Sequence, residues 1–293
     1  MAPDVPHIDL ARSIGTRIGE GLRESGHLGY DPIQRTLDAI HSHFHAVRGH
    51  YLKLYAIATS AVRRADNGAE FVKAVTGIIG VPVHILSGDE EAAASYRGAI
   101  TALGTLHGEE VGVLDTGGGS TEYAIGDGPE PQRTISCEIG AVRLTEALPG
   151  LSGRDGIVDL DTIERARAQT RKALAPISDF RPIEKLALVG GSATTVASVV
   201  RGKRGKIERY ELMRADLQRT LLRLCALSYE ERKDVVGMKP QRADILPAGI
   251  LVLDTALDLL GQDRAVATTA DLLLGYLLQQ RDAHPSLAPT IPR

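Results

Sequence analysis

Cysteine is scarce, long apolar runs are absent, and neither sign of charge dominates. The 293-residue chain has two cysteines, Cys137 and Cys225. Two thiols supply no disulfide framework and no zinc spacing, so both read as small buried hydrophobes in a reducing compartment. No stretch approaches the ~20 apolar residues of a membrane span, and the N-terminus lacks an apolar signal core. The expected location is therefore the cytoplasm, with no membrane partner. Lys and Arg number 34 against 37 Asp and Glu, a formal net charge of −3. No global field then recruits nucleic acid or an anionic membrane. A long polyanion would need a local cluster of Arg, Lys and backbone N–H groups. No tandem repeat is present, and the chain is long enough to bury a sizeable core in two lobes.

Strand and helix patterns alternate along the first hundred residues. Thr16-Arg-Ile-Gly-Glu-Gly-Leu22 is polar and glycine-punctuated and predicts a loop. Asp31-Pro32 predicts an N-cap with proline at the first helical position, opening a helix to about residue 45. Residues 52–58 and 81–86 read as apolar strands. A helix carrying Phe71, Val72 and Val75 lies between them, and another starts at Ser87-Gly-Asp-Glu-Glu91. Such alternation predicts an α/β fold with parallel strands. After Gly108, residues 111–114 and 121–125 read as a β-hairpin, with 133–139 as a third antiparallel strand. Helices are expected at 140–148, 159–178, 214–227 and 243–260. A buried strand, 185–189, runs into a helix, and a last strand, 266–270, precedes a helix to about 280. The lobe boundary is placed near 103–110, giving lobes 1–105 and 106–282, with the last helix free to return against the first lobe. Residues 283–293, rich in proline, read as a disordered tail.

The strongest local signal is Asp115-Thr-Gly-Gly-Gly-Ser-Thr-Glu122. Three glycines let backbone N–H groups approach phosphate oxygens and form an anion nest. Ser120 and Thr121 add hydroxyl donors, and Asp115, at a strand end, suits a hard cation held directly or through water. The competing reading is a plain hairpin turn. A mere turn, however, has no need of a carboxylate at each end of a phosphate-sized cradle. Glu91, in a helix's first turn, is either a capping acid or a carboxylate that orients water or holds Mg²⁺. Arg63, after a strand and Thr59-Ser60, is either a surface arginine or a phosphate fork. Gly190-Gly-Ser192 is a second strand-to-helix turn, explained by phosphate binding or by packing. His41, His43, His45 and His50 lack acidic or thiol partners and read as a solvated face rather than a metal site.

Together these segments resemble the exopolyphosphatase / guanosine-pentaphosphate phosphohydrolase (Ppx/GppA) family. Thr16 to Leu22, Ala58-Thr-Ser-Ala-Val-Arg63, Leu86-Ser-Gly-Asp-Glu-Glu-Ala92 and the Asp115–Glu122 loop match in order. Gly140-Ala-Val-Arg-Leu-Thr-Glu146, Gly190-Gly-Ser192 and Arg242-Ala-Asp244 follow. The resemblance covers residues 16–280 and implies an actin-like (ribonuclease-H-like) two-domain fold with the substrate in a cleft. It implies Glu91 as the carboxylate that positions the attacking water, and Asp115 and Glu122 as ligands of Mg²⁺. Gly117, Gly118, Gly119, Ser120 and Arg63 would bind phosphate, and Gly190, Gly191 and Ser192 would lie near the far end of the substrate. Polyphosphate or guanosine pentaphosphate is the implied substrate, and a homodimer is allowed.

Two departures shape the expectation. Family members open with a strand and a first phosphate loop of the form Asp-x-Gly-[Ser/Thr]-Asn-[Ser/Thr], and nothing before Thr16 matches it. A longer reading frame with Met1 internal is expected, and for the chain as written, poor stability and weak hydrolysis. The helical domains that long family members append are also unmatched, which favours short-chain polyphosphate or guanosine pentaphosphate. The alternatives are a catalytically weakened polyphosphate- or alarmone-binding protein and an ATP-dependent kinase of the same superfamily.

Overall fold

The structure, a computed structural model, describes residues 11–51, 53–104, 108–180 and 183–284. The expectations for the chain before residue 11, for Leu52 and for the tail beyond His284 lie outside these residues. The chain divides into two compact units between Gly88 and Asp89.

The smaller unit holds α1 (Leu22–Ser25), α2 (Tyr30–Val47), β1 (Ala56–Ala58), α3 (Ser60–Arg64), α4 (Gly68–Ile79) and β2 (Val83–Ile85). β1 and β2 pair in parallel, Ile57 opposite His84, and are the unit's only sheet among the described residues. Leu22, Leu28, Val62, Phe71, Val75 and Ile79 form its core. α2 begins one residue before the predicted cap. Gly29, in extended backbone, takes the cap position, and Asp31 falls in the first turn.

The larger unit contains α5 (Gly88–Leu103), β3 (Val111–Thr116), β4 (Thr121–Gly126), β5 (Arg133–Cys137), α6 (Ala141–Ala147) and α7 (Leu160–Leu174). It continues with β6 (Lys185–Val189), α8 (Gly190–Arg201), β7 (Tyr210–Met213), α9 (Arg214–Cys225) and α10 (Tyr229–Lys233). It closes with α11 (Leu246–Leu259), β8 (Arg264–Ala267) and α12 (Leu272–Ala283). The six strands run in the order β5-β4-β3-β6-β8-β7. β3, β6 and β8 are parallel, and β4 is antiparallel to both β3 and β5. With the edge strand β7 set aside, the five remaining strands of this unit follow the 3-2-1-4-5 order of a ribonuclease-H-like, actin-like lobe. β7 adds an antiparallel edge that the sequence pattern did not reveal, because only Leu212 of its four residues is buried.

The sheet's two faces explain the rest of the packing. On one, Ala92, Tyr96, Ala99 and Ile100 of α5 bury against Val111, Val113, Ala124, Ala187 and Val189. That burial joins α5 to the larger unit, so compactness divides the chain at residue 88 where the sequence pattern suggested 103–110. The other face carries the main core with α6, α7, α8, α9 and α11. Asp254, wholly buried within α11, is neutralised by Arg167 and Arg214, each at 2.8 Å. A buried carboxylate needs such partners. α12 crosses α5 at closest approach: a Cβ on Gly275 would lie 1.7 Å from the Ala94 carbonyl oxygen, and one on Gly98 would lie 2.2 Å from that of Asp271. Arg97 and Asp282 tie the same two helices at 2.6 Å. Both cysteines are buried and free, and burial pushes each thiol up to about 11. No helix among the described residues is long and apolar enough to cross a membrane.

Candidate active site

The parallel strands β3, β6 and β8 all end at one edge of the large sheet, where ligands of open α/β sheets bind. Asp115 and Glu122 are directly opposite each other in the antiparallel pair β3–β4, and Ser136 is opposite Glu122 on β5. Residues opposite in register project to the same face. Alternation along β3 puts Asp115 on the face of Val111 and Val113, the face covered by α5. Ser95 of α5 accordingly donates to Asp115 Oδ2 at 2.5 Å, and Ser136 donates to Glu122 Oε1 at 2.7 Å. Glu91 lies one helical turn before Ser95, on the same side of α5, and is buried. Asp89, in that first turn, accepts from Thr134 of β5 at 2.7 Å and fixes the start of the helix on the sheet. Asp271 caps α12, accepting from the Leu273 N–H at 3.1 Å.

These acids repel one another. Burial raises Asp115 to about 6; the Ser95 hydroxyl opposes the rise, while the charges of Asp271 and Glu91 add to it. Burial raises Glu122 further, to about 8, with Asp115 and Glu91 adding and the hydroxyls of Ser136 and Ser120 opposing. Burial also raises Asp271, against the helix N–H that it caps. Every charged neighbour acting on Asp115 and Glu122 is an acid. A divalent cation would relieve this repulsion. Among the described residues, no group of three or more His, Cys, Asp or Glu side chains forms a metal site. The donor set nonetheless fits Mg²⁺, which binds through one or two carboxylates and completes its shell with water and substrate phosphate.

Two glycine turns flank the acids. In the first, the Gly117 N–H bonds the Ser120 carbonyl at 3.0 Å. The Gly117 and Gly118 carbonyls are turned back onto the N–H groups of Ala141, Val142 and Arg143, the first turn of α6. Gly140 permits this contact, since a Cβ there would lie 2.6 Å from the Gly118 backbone. The N–H groups of Gly118, Gly119 and Ser120 donate to nothing among the described residues. In the second turn, Gly190 has φ 88°, and a Cβ on it would lie 2.5 Å from Asp115 Oδ1. Gly191 gives room to a guanidinium: a Cβ there would lie 1.9 Å from Arg242 Nη2. Ser192 is buried in the first turn of α8.

Glu91, Asp115, Gly117, Gly118, Gly119, Ser120, Glu122, Gly190, Gly191 and Ser192 thus all belong to the larger unit. Arg63 belongs to the smaller one, where it donates to the Leu86 carbonyl at 2.5 Å. No sequence motif marks Ser95, Ser136 or Asp271, and Arg242 stands in a family-like segment with no role attached. Ser95 was findable one helical turn beyond Glu91; Ser136 becomes visible only once β5 has its register.

The profile of the Ppx/GppA phosphatase family matches residues 7–274. Exopolyphosphatase 2 of Mycobacterium tuberculosis is 28% identical over 279 residues, covering 89% of this chain and 86% of that protein. A bifunctional 3-dehydroquinate synthase/phosphatase of Fusobacterium nucleatum is 26% identical over 90% of this chain, which spans 40% of that longer protein. The crystal structure of the Aquifex aeolicus member of the Ppx/GppA family superposes with a TM-score of 0.71 at 25% identity, covering 92% of this chain and 87% of that one. With most of its length matched by one profile and an acid-flanked glycine turn at its sheet edge, the chain belongs to the Ppx/GppA phosphatase family.

Proposed function

We propose that this protein releases the terminal phosphate of inorganic polyphosphate by attack of water, in a reaction that depends on Mg²⁺. One observation carries the reading. Three successive N–H groups, of Gly118, Gly119 and Ser120, have no partner among the described residues, although neighbouring carbonyls are tied to α6. Gly118 is exposed and Gly119 half-buried, so these N–H groups are open to an incoming ligand, and a run of successive N–H groups is a nest for anionic oxygens.

In this reading the terminal phosphoryl group sits on that nest. Asp115 and Glu122 would hold Mg²⁺, which supplies neutralisation of the phosphate charge. Glu91, presented from α5, orients the attacking water and accepts its proton as the oxygen–phosphorus bond forms and the bridging bond breaks. Phosphoryl transfer needs positioning and charge stabilisation more than covalent help, and these residues provide both. Arg242, packed over Gly191, and the Gly190–Ser192 turn would meet the next part of the substrate. The name of the Mycobacterium tuberculosis relative supports polyphosphate as the substrate class. Guanosine pentaphosphate presents the same terminal anhydride and belongs in the same assay.

Phosphate release should be followed with Mg²⁺ from tripolyphosphate, long-chain polyphosphate and guanosine pentaphosphate, for wild type and Glu91→Gln. The expected loss in kcat is ~10²–10⁴-fold. Undiminished turnover in Glu91→Gln would remove the assigned base.

A further inference from the structure

The segment from Arg201 to Arg209 carries five cations and one acid. Nothing in the reaction as described uses it. It links α8 to β7, and its side chains at Lys203, Arg204 and Lys206 are exposed. Arg201 does not neutralise an acid there. It donates to the carbonyls of Lys203 and Lys206, both at 3.2 Å, and so shapes the loop while adding its charge to it. Arg209 likewise donates to a carbonyl, that of Ala102 at the end of α5, at 2.8 Å. Lys206 pairs with Glu208 at 3.0 Å, the loop's single acid, and Lys203 and Arg204 have no carboxylate partner among the described residues.

Topology brings this loop to the site's edge of the sheet. β7 begins where β8 ends, Tyr210 opposite Ala267. The Ile207 carbonyl accepts from the Thr269 N–H at 2.7 Å, two residues before Asp271. Chain geometry then keeps the Lys206 Cα within about 18 Å of the Asp271 Cα. An acidic cluster that holds the reacting end and a cationic loop further along the same edge are complementary to a long polyanion anchored at one end. The loop supplies a local cluster of Lys and Arg of the kind a chain of net charge −3 needs to grip a long polyanion.

We propose that Lys203, Arg204 and Lys206 form a subsite for the distal phosphates of polyphosphate and set the preference for longer chains. This rests on the phosphatase reading of the Asp115–Glu122 edge. Nucleic acid is the other polyanion to weigh, but no aromatic residue between Arg201 and Arg209 offers a base a stacking surface.

The test compares wild type with Lys203→Gln/Arg204→Gln/Lys206→Gln on tripolyphosphate and on long-chain polyphosphate. KM for the long chain should rise roughly 5–30-fold at low ionic strength, an effect that salt erases. KM for tripolyphosphate and kcat for both should stay within about twofold, since exposed charges remote from the chemistry act on binding. An unchanged long-chain KM, or an equal rise for tripolyphosphate, overturns the subsite and leaves the hydrolase reading intact. Anisotropy of labelled long-chain polyphosphate separates the two ideas. Binding that needs the three cations in a protein without turnover would support the subsite and sink the hydrolase. Displacement of the label by a short RNA at lower concentration than by unlabelled polyphosphate would overturn it in favour of RNA.

Discussion

The two glycine turns at the sheet edge look alike in sequence and differ in what their glycines are for. Gly190 is demanded by the protein itself, through a left-handed φ of 88° and the nearness of Asp115 Oδ1 and the Thr116 carbonyl. Gly191 is demanded by Arg242, whose guanidinium fills the place of its side chain. Gly117 answers to neither constraint. Its φ is not left-handed, and a Cβ on it would meet only the Ser120 carbonyl oxygen, at an ordinary 3.4 Å. Glycine at 190 and 191 is explained by packing; no such contact explains glycine at 117. On the proposed reading the first turn serves binding, and the contacts of the second build the site around Asp115.

The largest expected effect tests that contrast. Gly190→Ala should lose ~2–4 kcal/mol of stability, from forced positive φ and contact with backbone, whereas Gly117→Ala should stay within ~1 kcal/mol of wild type. Urea midpoints measure both, and equal losses would erase the distinction. Next, Ser95→Ala removes the donor that orients Asp115, and the affinity for divalent cation should fall ~10–100-fold, read by Mn²⁺ titration. An unchanged affinity would detach Asp115 from the cation. Third, Gly117→Ala, though folded, should lower kcat/KM on tripolyphosphate roughly tenfold or more, because its Cβ faces the Ser120 carbonyl that closes the turn carrying the N–H nest. Full activity would return this turn to plain packing.

The smallest effect is on pH dependence. Asp115, at about 6, and Glu122, at about 8, are raised above their unfolded values. Between about pH 4 and 8 the folded state keeps protons that the unfolded state has released, so cation-free stability falls as pH rises through that window. A cation bound to the ionised pair offsets the loss. The thermal shift from Mg²⁺ should therefore be a few degrees larger at pH 8 than at pH 5. Equal shifts in calorimetric scans would separate the acids from the cation.

Much of the framework was legible along the chain. The strand Lys185–Val189 falls where its apolar run placed it, and the hairpin around Gly117 to Ser120 has the predicted arms. The acid-flanked turn and the first-turn Glu91 were visible because each pairs an unusual residue with an element boundary. The less regular pieces escaped. β7 is a mostly exposed edge strand without an apolar run, and α10 is too short for periodicity to show. The division at residue 88 was hidden because sequence shows that α5 is a helix but not which sheet covers it. Asp271 reads locally as nothing more than an N-cap.

The sequence by itself determined that a strand ends in an acid, three glycines and a second acid, because strand propensity, turn chemistry and the hairpin's symmetry are all local. Only the tertiary structure decided what that turn does with its charges. Register put Ser136 beside Glu122, the face of α5 brought Ser95 and Glu91 to Asp115, and the Gly98–Gly275 crossing fixed α12, which Asp271 caps. Burial then raised carboxylates that would ionise normally in the unfolded chain. Pair repulsion and desolvation depend on distance in space, and spacing along the sequence carries no trace of them.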